Sequence, residues 1–340
     1  MTDFDLDTLM APVDGETPAG PDLEYDPAFL DLERDAAPMA ERVVGDSVKE
    51  ARDPDWDKVA AEATRLLGRS KDIRVVVPLI CAWTRTGGLS GWAAGLELLQ
   101  RLLQDYWAEV HPRPDPEDDN DPTARANAIA AVCNPQAALG YFRHATVVSS
   151  PRVGRFSLRD LRVANGSMKI DATGGGSAPS LADIEACCLD CQEADLIAAA
   201  NAADRAAVNA EAIAWAVGEQ LGLAAPDLQP LLQDARELKS FLDQQVAQRC
   251  PQPAATSAGD ALPGDTSDPA HAGRIESPQD VSRCIDRICD YYARHEPSSP
   301  VPILLRRAQR LIGRDFLALL QDIAPGGINE LRVLAGDPDD

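Results

Sequence analysis

The residues best suited to hold a metal ion lie in an acidic loop between two predicted helices. Four carboxylates alternate there with the spacing that opens a calcium loop: Asp115, Glu117, Asp119 and Asp121. The pattern then departs from a calcium loop, because Asn120 replaces the turn glycine and Ala126 replaces the closing glutamate. The sequence therefore favours a solvated loop that ends where Asp121 and Pro122 start a helix, with a cation site as the alternative.

Three of the eight cysteines form the next candidate metal site. Cys187, Cys188 and Cys191 share one face of a predicted helix, but no fourth ligand or nearby histidine completes a zinc set. We therefore predict that they are small core residues. The cysteines as a whole show neither a disulfide framework nor the two Cys-x-x-Cys motifs that together make a zinc site, which predicts a protein of the reducing cytoplasm.

The motifs of common catalytic centres are missing from the sequence. It contains no Gly-x-Ser-x-Gly, no His-Glu-x-x-His, no phosphate loop and no dinucleotide fingerprint. The four histidines are dispersed, and His111, beside Pro112, is interpreted as a side chain at the C-terminal end of a helix. We therefore predict a protein that is not an enzyme and that binds no cofactor or metal.

Charge is distributed unevenly along the 340 residues. The formal net charge is −23; residues 1–57 hold 17 Asp and Glu against 4 Lys and Arg, whereas residues 274–336 hold 9 Arg against 8 Asp and Glu. Because an acidic chain is poorly suited to neutralise phosphates, we expect no nucleic-acid partner and instead a partner with basic patches. The longest apolar run, Val75–Trp83, contains Pro78 and is far shorter than a bilayer requires, so we expect no insertion into a membrane.

Helical periodicity dominates the first half of the chain. Asp53 is predicted to cap a helix that starts at Pro54 and ends at Gly68. Asp72 is predicted to cap a more apolar helix that closes at Gly87–Gly88, with a third, amphipathic helix behind it. A hydrophobic helix between two amphipathic ones indicates the centre of a bundle.

The pattern changes character after residue 134. Residues 135–148 predict one more helix, and the stretch near residues 147–166 predicts a short β-hairpin or an extended flap. Gly154 and Gly166 interrupt its apolar residues, which favours two short strands.

The middle of the chain returns to a helical pattern. Ser180 and Asp183 form a capping box, and the helical pattern continues to Gly222. Because about forty residues are long for one helix of a globular protein, we predict a break at Asn201 or Asp204.

A proline-rich corner divides the last part of the chain. Three prolines between His295 and Pro302 must end one amphipathic helix and allow another to begin around Pro300. Some sixty residues are few for an independent core, so we expect this module to oligomerise. Its arginine rows fit either a solvated face or an interface with carboxylates. The predicted oligomerisation residues are Tyr292, Glu296, Pro297, Ser298, Ser299, Pro300, Val301, Pro302, Arg306, Arg307, Arg310 and Arg314.

These patterns together predict an all-α, multi-domain protein of helical bundles with the short β-hairpin described above. The predicted parts are an N-terminal helical domain (1–172), a glycine-rich connector (173–179), a middle helical domain (180–250), a disordered linker (251–276) and a C-terminal helical module (277–336).

Ordered blocks of the sequence also resemble a known family. The blocks are GPDLEYDPAFLDLE (20–33), KDIRVVVPLICAWTRTGGLSGWAAGLELLQRLLQDYW (71–107), HPRPDPEDDNDPTARANAIAAV (111–132) and SPRVGRFSLRDLRVANG (150–166). They resemble the N-terminal domain of the ImpA/TssA family of the type VI secretion system. The later block EPSSPVPILLRRAQRLIGRDFLALLQDIAPGGINELRVLAG resembles the C-terminal region of short TssA-type proteins. Asp119 departs from the family pattern, which leads us to expect glycine there.

The resemblance implies a structural role in the secretion machine. It implies a high-order homo-oligomeric ring that associates with the baseplate and the contractile sheath and helps the inner tube and sheath to assemble. Our hypothesis is that the C-terminal module builds this ring. The implied location is the cytoplasm, at the inner-membrane side of the apparatus. The alternative is a helical adaptor or regulator that docks onto the apparatus without forming a ring.

Overall fold

The described residues of this computed structural model fall into two units of the chain. Residues 4–38, 42–44, 47–49, 53–114, 119–168 and 178–250 belong to the first unit, Met1–Ala255. Residues 281–282, 284–289 and 301–311 belong to the second unit, Thr256–Asp340.

The first unit is mostly helical in its described ranges. Its helices are α1 (Leu6–Met10), α2 (Pro27–Ala36), α3 (Trp56–Leu67), α4 (Ile73–Asp105), α5 (Thr123–Ala130), α6 (Ala138–His144), α7 (Leu158–Ala164), α8 (Leu181–Asp190), α9 (Glu193–Leu221) and α10 (Gln229–Arg249). Short 3₁₀ helices follow α5 (Ala131–Cys133) and α9 (Gly222–Ala224).

Helix α4 lies at the centre of the first unit. Its apolar residues are buried almost all round, and α3, α6 and α9 pack against it. The predicted break at Gly87–Gly88 is confirmed, because Gly88 has φ 59° and ψ −139°, which an ordinary side chain disfavours. Asp72 accepts a hydrogen bond from the backbone N–H of Arg74 and caps the helix as predicted.

One predicted cap was wrong. Helix α3 begins at Trp56, and Asp55, rather than Asp53, accepts the hydrogen bond from the backbone N–H of Lys58. Asp53 instead forms an ion pair with Arg85 of α4. Because the Asp53 carboxylate is paired with Arg85, it does not cap α3, and Asp55 caps the helix instead.

Two small antiparallel hairpins accompany the helices. Strand β1 (Arg42–Val44) pairs with β2 (Ser47–Lys49), and β3 (Thr146–Ser150) pairs with β4 (Gly154–Ser157). The second hairpin confirms the one predicted near residues 147–166.

The hairpin ends earlier than the sequence analysis predicted. Residues 158–164 form α7 instead of extended chain, because Ser157 and Asp160 make a capping box that starts a helix. The helix predicted over residues 135–148 was too long: α6 covers only Ala138–His144, and β3 follows.

Helices α8 to α10 pack against the first half of the chain. Helix α9 lies along α4 and α10, and its buried face joins the same hydrophobic core. The capping box of Ser180 and Asp183 is confirmed, but the predicted break at Asn201 or Asp204 was wrong: α8 ends at Asp190, and α9 runs unbroken through both positions. The two parts on either side of residues 173–179 therefore share one core, and their folding as separate domains stays a prediction.

The second unit contains two described helical stretches. Residues 281–282 and 284–289 are helical, and a helix runs over Val301–Leu311, close to the start predicted at Pro300. The predicted linker, residues 295–300 of the proline-rich corner and the predicted helices after residue 311 lie outside the described residues. No helix within the described ranges combines the length and hydrophobicity needed to cross a membrane.

Candidate interaction surfaces

Arg74 anchors the acidic segment that precedes α2. Its guanidinium donates to Asp22 at 2.7 Å, to Glu24 at 3.0 Å and to Asp72 at 2.7 Å. It also lies 5.0 Å from the ring centroid of Phe29 on α2. Burial opposes the charge on Arg74, but the three carboxylates outweigh burial and raise its pKa. The negative charges of Asp22, Glu24 and Asp72 are therefore paired within the fold, which the sequence analysis did not predict.

Lys71 is buried beside this ion-pair cluster. Its side chain is sealed from solvent, and Nζ donates to the carbonyl oxygens of Leu9 at 2.7 Å and Leu67 at 2.9 Å. Among the described residues, no carboxylate forms an ion pair with Lys71, and burial lowers its pKa to about 8. Lys71 therefore joins α1 to the end of α3.

We expect the buried Lys71 to make the stability of the first unit depend on alkaline pH. Its pKa is about 8 in the folded chain and about 10.5 when exposed, so the unfolded chain holds the proton more tightly between these values. The free energy of unfolding should then rise as the pH increases from about 8 to about 10.5, by at most about 3 kcal/mol. Urea denaturation at a series of pH values, followed by tryptophan fluorescence, measures this slope.

Lys71→Met is the control for that titration. Methionine keeps the length of the side chain but cannot take up a proton, so the difference between the two proteins isolates Lys71 from the tyrosines and thiols that also titrate. An identical slope in both proteins would show that Lys71 does not change protonation on folding.

His111 lies in the core, and the predicted position at the C-terminal end of a helix was wrong. It follows α4 by six residues, and its ring nitrogen Nε2 lies 3.1 Å from the carbonyl oxygen of Gly20. Its backbone bonds to Lys71 and to Ile73. Nδ1 lies 3.5 Å from a carboxylate oxygen of Asp22. Histidines that act as general bases in enzymes are often paired with a carboxylate in the same way. Because the ring is buried and Nε2 faces a backbone carbonyl, the arrangement is suited to cross-linking the fold.

The acidic loop ends as the sequence analysis predicted. The Asp121 carboxylate accepts hydrogen bonds from the backbone and hydroxyl of Thr123, the first residue of α5. Asp119 has φ 51° and Asn120 has φ 57°, the left-handed conformation that glycine adopts most easily. The departure from glycine at Asp119 is thus accommodated in the turn. Residues 115–118 lie outside the described residues, and cation binding there stays untested.

Arg125 fixes the chain that leads into this loop. Its guanidinium donates to the carbonyl oxygens of Trp107, Val110 and Pro112 at 2.7 to 2.9 Å. It also lies 5.0 Å from the Trp107 ring centroid. The guanidinium therefore satisfies three carbonyls of the turn after α4.

The clustered cysteines are core residues, as predicted. Cys187, Cys188 and Cys191 are buried, and all are free thiols. Burial raises the pKa of Cys188 to about 12, so it stays a protonated, unreactive thiol. Among the described residues, no three side chains of the ligand types converge on a metal position.

In the second unit, polar contacts join the two described helical stretches. Arg306 forms an ion pair with Asp286, and Gln309 Nε2 donates to Asp286 at 3.0 Å and to the Ser282 hydroxyl at 2.8 Å. The hydrogen bonds from Gln309 and Arg306 lower the pKa of Asp286. Arg306, predicted as an interface residue, thus also holds the unit together.

The remaining predicted interface residues divide between described and undescribed chain. Val301, Pro302, Arg307 and Arg310 lie on the Val301–Leu311 helix. The others lie outside the described residues: Tyr292, Glu296, Pro297, Ser298, Ser299, Pro300 and Arg314. Their part in oligomerisation stays a prediction.

The same helix exposes apolar residues in the single chain. Leu304 is 66% exposed, and Ala308, one helical turn further on, is also exposed. The intermediate burial of Leu305 and Gln309 shows that the helix meets its own unit on a different side. An apolar strip on a small helical unit is the kind of surface that a neighbouring subunit covers.

Comparison with known proteins places these features in a family. Residues 10–134 match the family described as ImpA, N-terminal, type VI secretion system. The chain is 38% identical over 345 residues to the type VI secretion system component TssA1 of Pseudomonas aeruginosa, with 98% of each chain covered. The fold is similar to the solved N-terminal domain, including the conserved ImpA_N region, of the TssA component from Burkholderia cenocepacia, with a TM-score of 0.57 and 23% identity over 74% of this chain and 96% of that chain. The chain therefore belongs to the TssA family of type VI secretion system components.

Proposed function

We propose that this protein is a structural, non-catalytic component of the secretion system that forms an oligomeric ring through its C-terminal module. The observation that carries the proposal is the exposed apolar strip of Leu304 and Ala308. Because the unit is small, covering this strip by neighbouring copies would supply core area that one copy lacks.

The ring is proposed to associate with the baseplate and the contractile sheath and to help the inner tube and sheath assemble. The relative TssA1 matches this chain over nearly its full length, so the likeness extends into the C-terminal module. The acidic first unit would contact basic surfaces of the other components, because residues 1–57 carry a large excess of carboxylates. We propose that this takes place in the cytoplasm, at the inner-membrane side of the apparatus.

Leu304→Glu tests the ring directly. A carboxylate on the exposed strip costs the folded monomer little but is unfavourable once a neighbour covers it. We expect the mass of the full-length protein, measured by light scattering, to fall from that of a high-order oligomer to no more than that of a dimer. Deleting residues 277–340 should have the same effect.

Leu30→Glu is the matched control, because Leu30 is a half-exposed leucine on α2 of the other unit. Its mass should equal that of the unmodified protein. If Leu304→Glu and the deletion both leave the mass unchanged, the ring proposal fails. A dimeric or monomeric unmodified protein would instead favour the adaptor or regulator that docks onto the apparatus.

A further inference from the structure

An open groove runs along the N-terminal half of α4, between α2 and α5. It consists of two adjoining clefts of about 500 Å³ and about 690 Å³, and Arg74 and Ala128 line both of them. The smaller cleft reaches Tyr141 on α6, and the larger one reaches His111 and Pro112 after α4. Together the two clefts form the α2–α5 groove, which lies within the first unit.

The walls of the smaller cleft are apolar and short. Its lining includes four alanines, one valine and one proline: Ala36, Val77, Pro78, Ala128, Ala131 and Ala137. Because alanine side chains are short, the cleft leaves room for longer side chains of another molecule. Covering these walls with apolar side chains removes apolar surface from water, which favours binding.

Backbone carbonyls make the groove rich in hydrogen-bond acceptors. Pro78 has no N–H, so the carbonyl oxygen of Arg74 does not receive the hydrogen bond that the residue four positions later donates in an ordinary α-helix. Both residues line the groove. The C-terminal end of α2, at Ala36 and Ala37, lines it as well, and the last carbonyls of a helix carry partial negative charge. The groove therefore suits a donor that is also a cation.

The side-chain charges of the groove have the same sign. The charged residues of its lining, together with the Asp72 that pairs with Arg74, are four carboxylates and two guanidiniums: Asp22, Glu24, Glu33, Asp72, Arg74 and Arg113. They leave an excess of two negative charges. Glu33 is exposed at the apolar cleft, where a cation of another molecule can reach it. This field disfavours anionic ligands such as nucleic acids and acidic lipid headgroups.

We propose that the α2–α5 groove binds a polypeptide segment of another component of the secretion apparatus, in which arginine or lysine stands beside apolar residues. The apolar side chains of the segment enter the alanine-lined cleft, and its cations face Glu33 and the carbonyl acceptors. The proposal rests on the proposed function for the source of the segment. It assigns the contact of the acidic first unit with basic surfaces to one groove.

Fluorescence anisotropy of labelled synthetic peptides tests the groove in the full-length protein. The probe is three repeats of Leu-Arg-Ala-Leu, and two matched peptides replace either its arginines by glutamate or its leucines by serine. We expect saturable binding of the probe alone, weakened by salt because part of the attraction is between charges. Spermidine, a cation without apolar side chains, should displace the probe no better than sodium chloride of equal ionic strength.

Variants of the protein place this binding in the groove. Glu33→Lys removes the excess negative charge and should weaken binding of the probe at least about fivefold. Ala128→Trp puts an indole between the two clefts and should weaken it at least about tenfold. Glu219→Lys on α9 makes the same charge change outside the groove and should leave the affinity within about twofold. Glu33 and Glu219 are exposed, so these two variants should fold normally, and Glu33→Lys decides the result if Ala128→Trp does not fold.

Three results would overturn the proposal. The first is no saturable binding of the probe below about 1 mM, which includes the case in which other residues of this chain fill the groove. The second is equal binding of the serine peptide, because attraction to an acidic chain would then be sufficient. The third is normal binding of the probe by Glu33→Lys and by every folded groove variant.

The same measurements in the Leu304→Glu background separate the groove from the ring. The affinities should be unchanged there, because the groove lies within the first unit. If the ring proposal fails while the probe binds as expected, the groove stands. An intact ring in a protein that does not bind the probe rejects the groove alone.

Discussion

Gly91→Ala is expected to destabilise the first unit by at least about 3 kcal/mol, a large part of the stability of an ordinary domain. Gly91 lies where the two halves of α4 fold back on each other across the break at Gly88. A Cβ on Gly91 would overlap the carbonyl oxygen of Trp83 and lie 3.2 Å from the backbone nitrogen of Thr84. Because the obstacle is backbone, no side chain can rotate to relieve the overlap.

Tryptophan fluorescence during urea denaturation measures this effect in the full-length protein. All five tryptophans precede residue 256, so the signal reports the first unit. Gly218→Ala in α9 is the matched control, because a Cβ there meets nothing within 4 Å. Alanine favours a helix by up to about 1 kcal/mol over glycine, so this variant should be slightly more stable. Equal stability of the two variants would contradict the close approach inferred at Gly91.

Local signals in the sequence predicted much of the fold. The pair Gly87–Gly88 predicted the break in α4, and Ser180 with Asp183 predicted the start of α8. Each of these features depends on residues only a few positions apart, where backbone sterics and side-chain hydrogen bonds act without help from the rest of the chain.

Some errors came from signals that were present but not used. Ser157 and Asp160 have capping-box spacing, and Leu158 and Leu161 are spaced to share one face of a helix, so the two signals together could have identified α7. The acidic first turn of α9, Glu193 and Asp195, could have placed the break between α8 and α9.

The buried polar contacts could not have been predicted from one sequence. Lys71 donates a hydrogen bond to Leu9, 62 residues away, and Asp234 accepts one from Arg143, 91 residues away. Polar residues in a helical pattern are expected on the surface, and their burial depends on how distant helices pack. The exposure of Ile197, Val208 and Trp215 on α9 was missed for the opposite reason: these apolar residues look like core in the sequence, and only packing shows which face of α9 is already covered.

Asp234→Ala is expected to cost the first unit about 3 to 5 kcal/mol. Asp234 on α10 is buried and accepts from Arg143 of α6 and from Arg162 of α7, each at 2.6 Å. Arg162 keeps a second partner, Glu237, but Arg143 would lose the carboxylate that it pairs with. A half-buried guanidinium without its counter-charge is costly, because neither water nor protein replaces the lost interaction.

Glu211→Ala is the matched control for Asp234→Ala. It removes a carboxylate from the exposed Glu211–Arg236 pair, which should cost no more than about 1 kcal/mol. The two measurements together also test the boundary predicted at residues 173–179, since Asp234 lies after it and both arginines lie before it. If the whole first unit unfolds cooperatively, Asp234→Ala lowers the urea midpoint seen by far-ultraviolet circular dichroism and by tryptophan fluorescence equally. If the middle helices form a domain of their own, their loss appears first by circular dichroism and in the fluorescence of Trp215 on α9, and a second fluorescence transition from Trp56, Trp83 and Trp92 keeps its original midpoint.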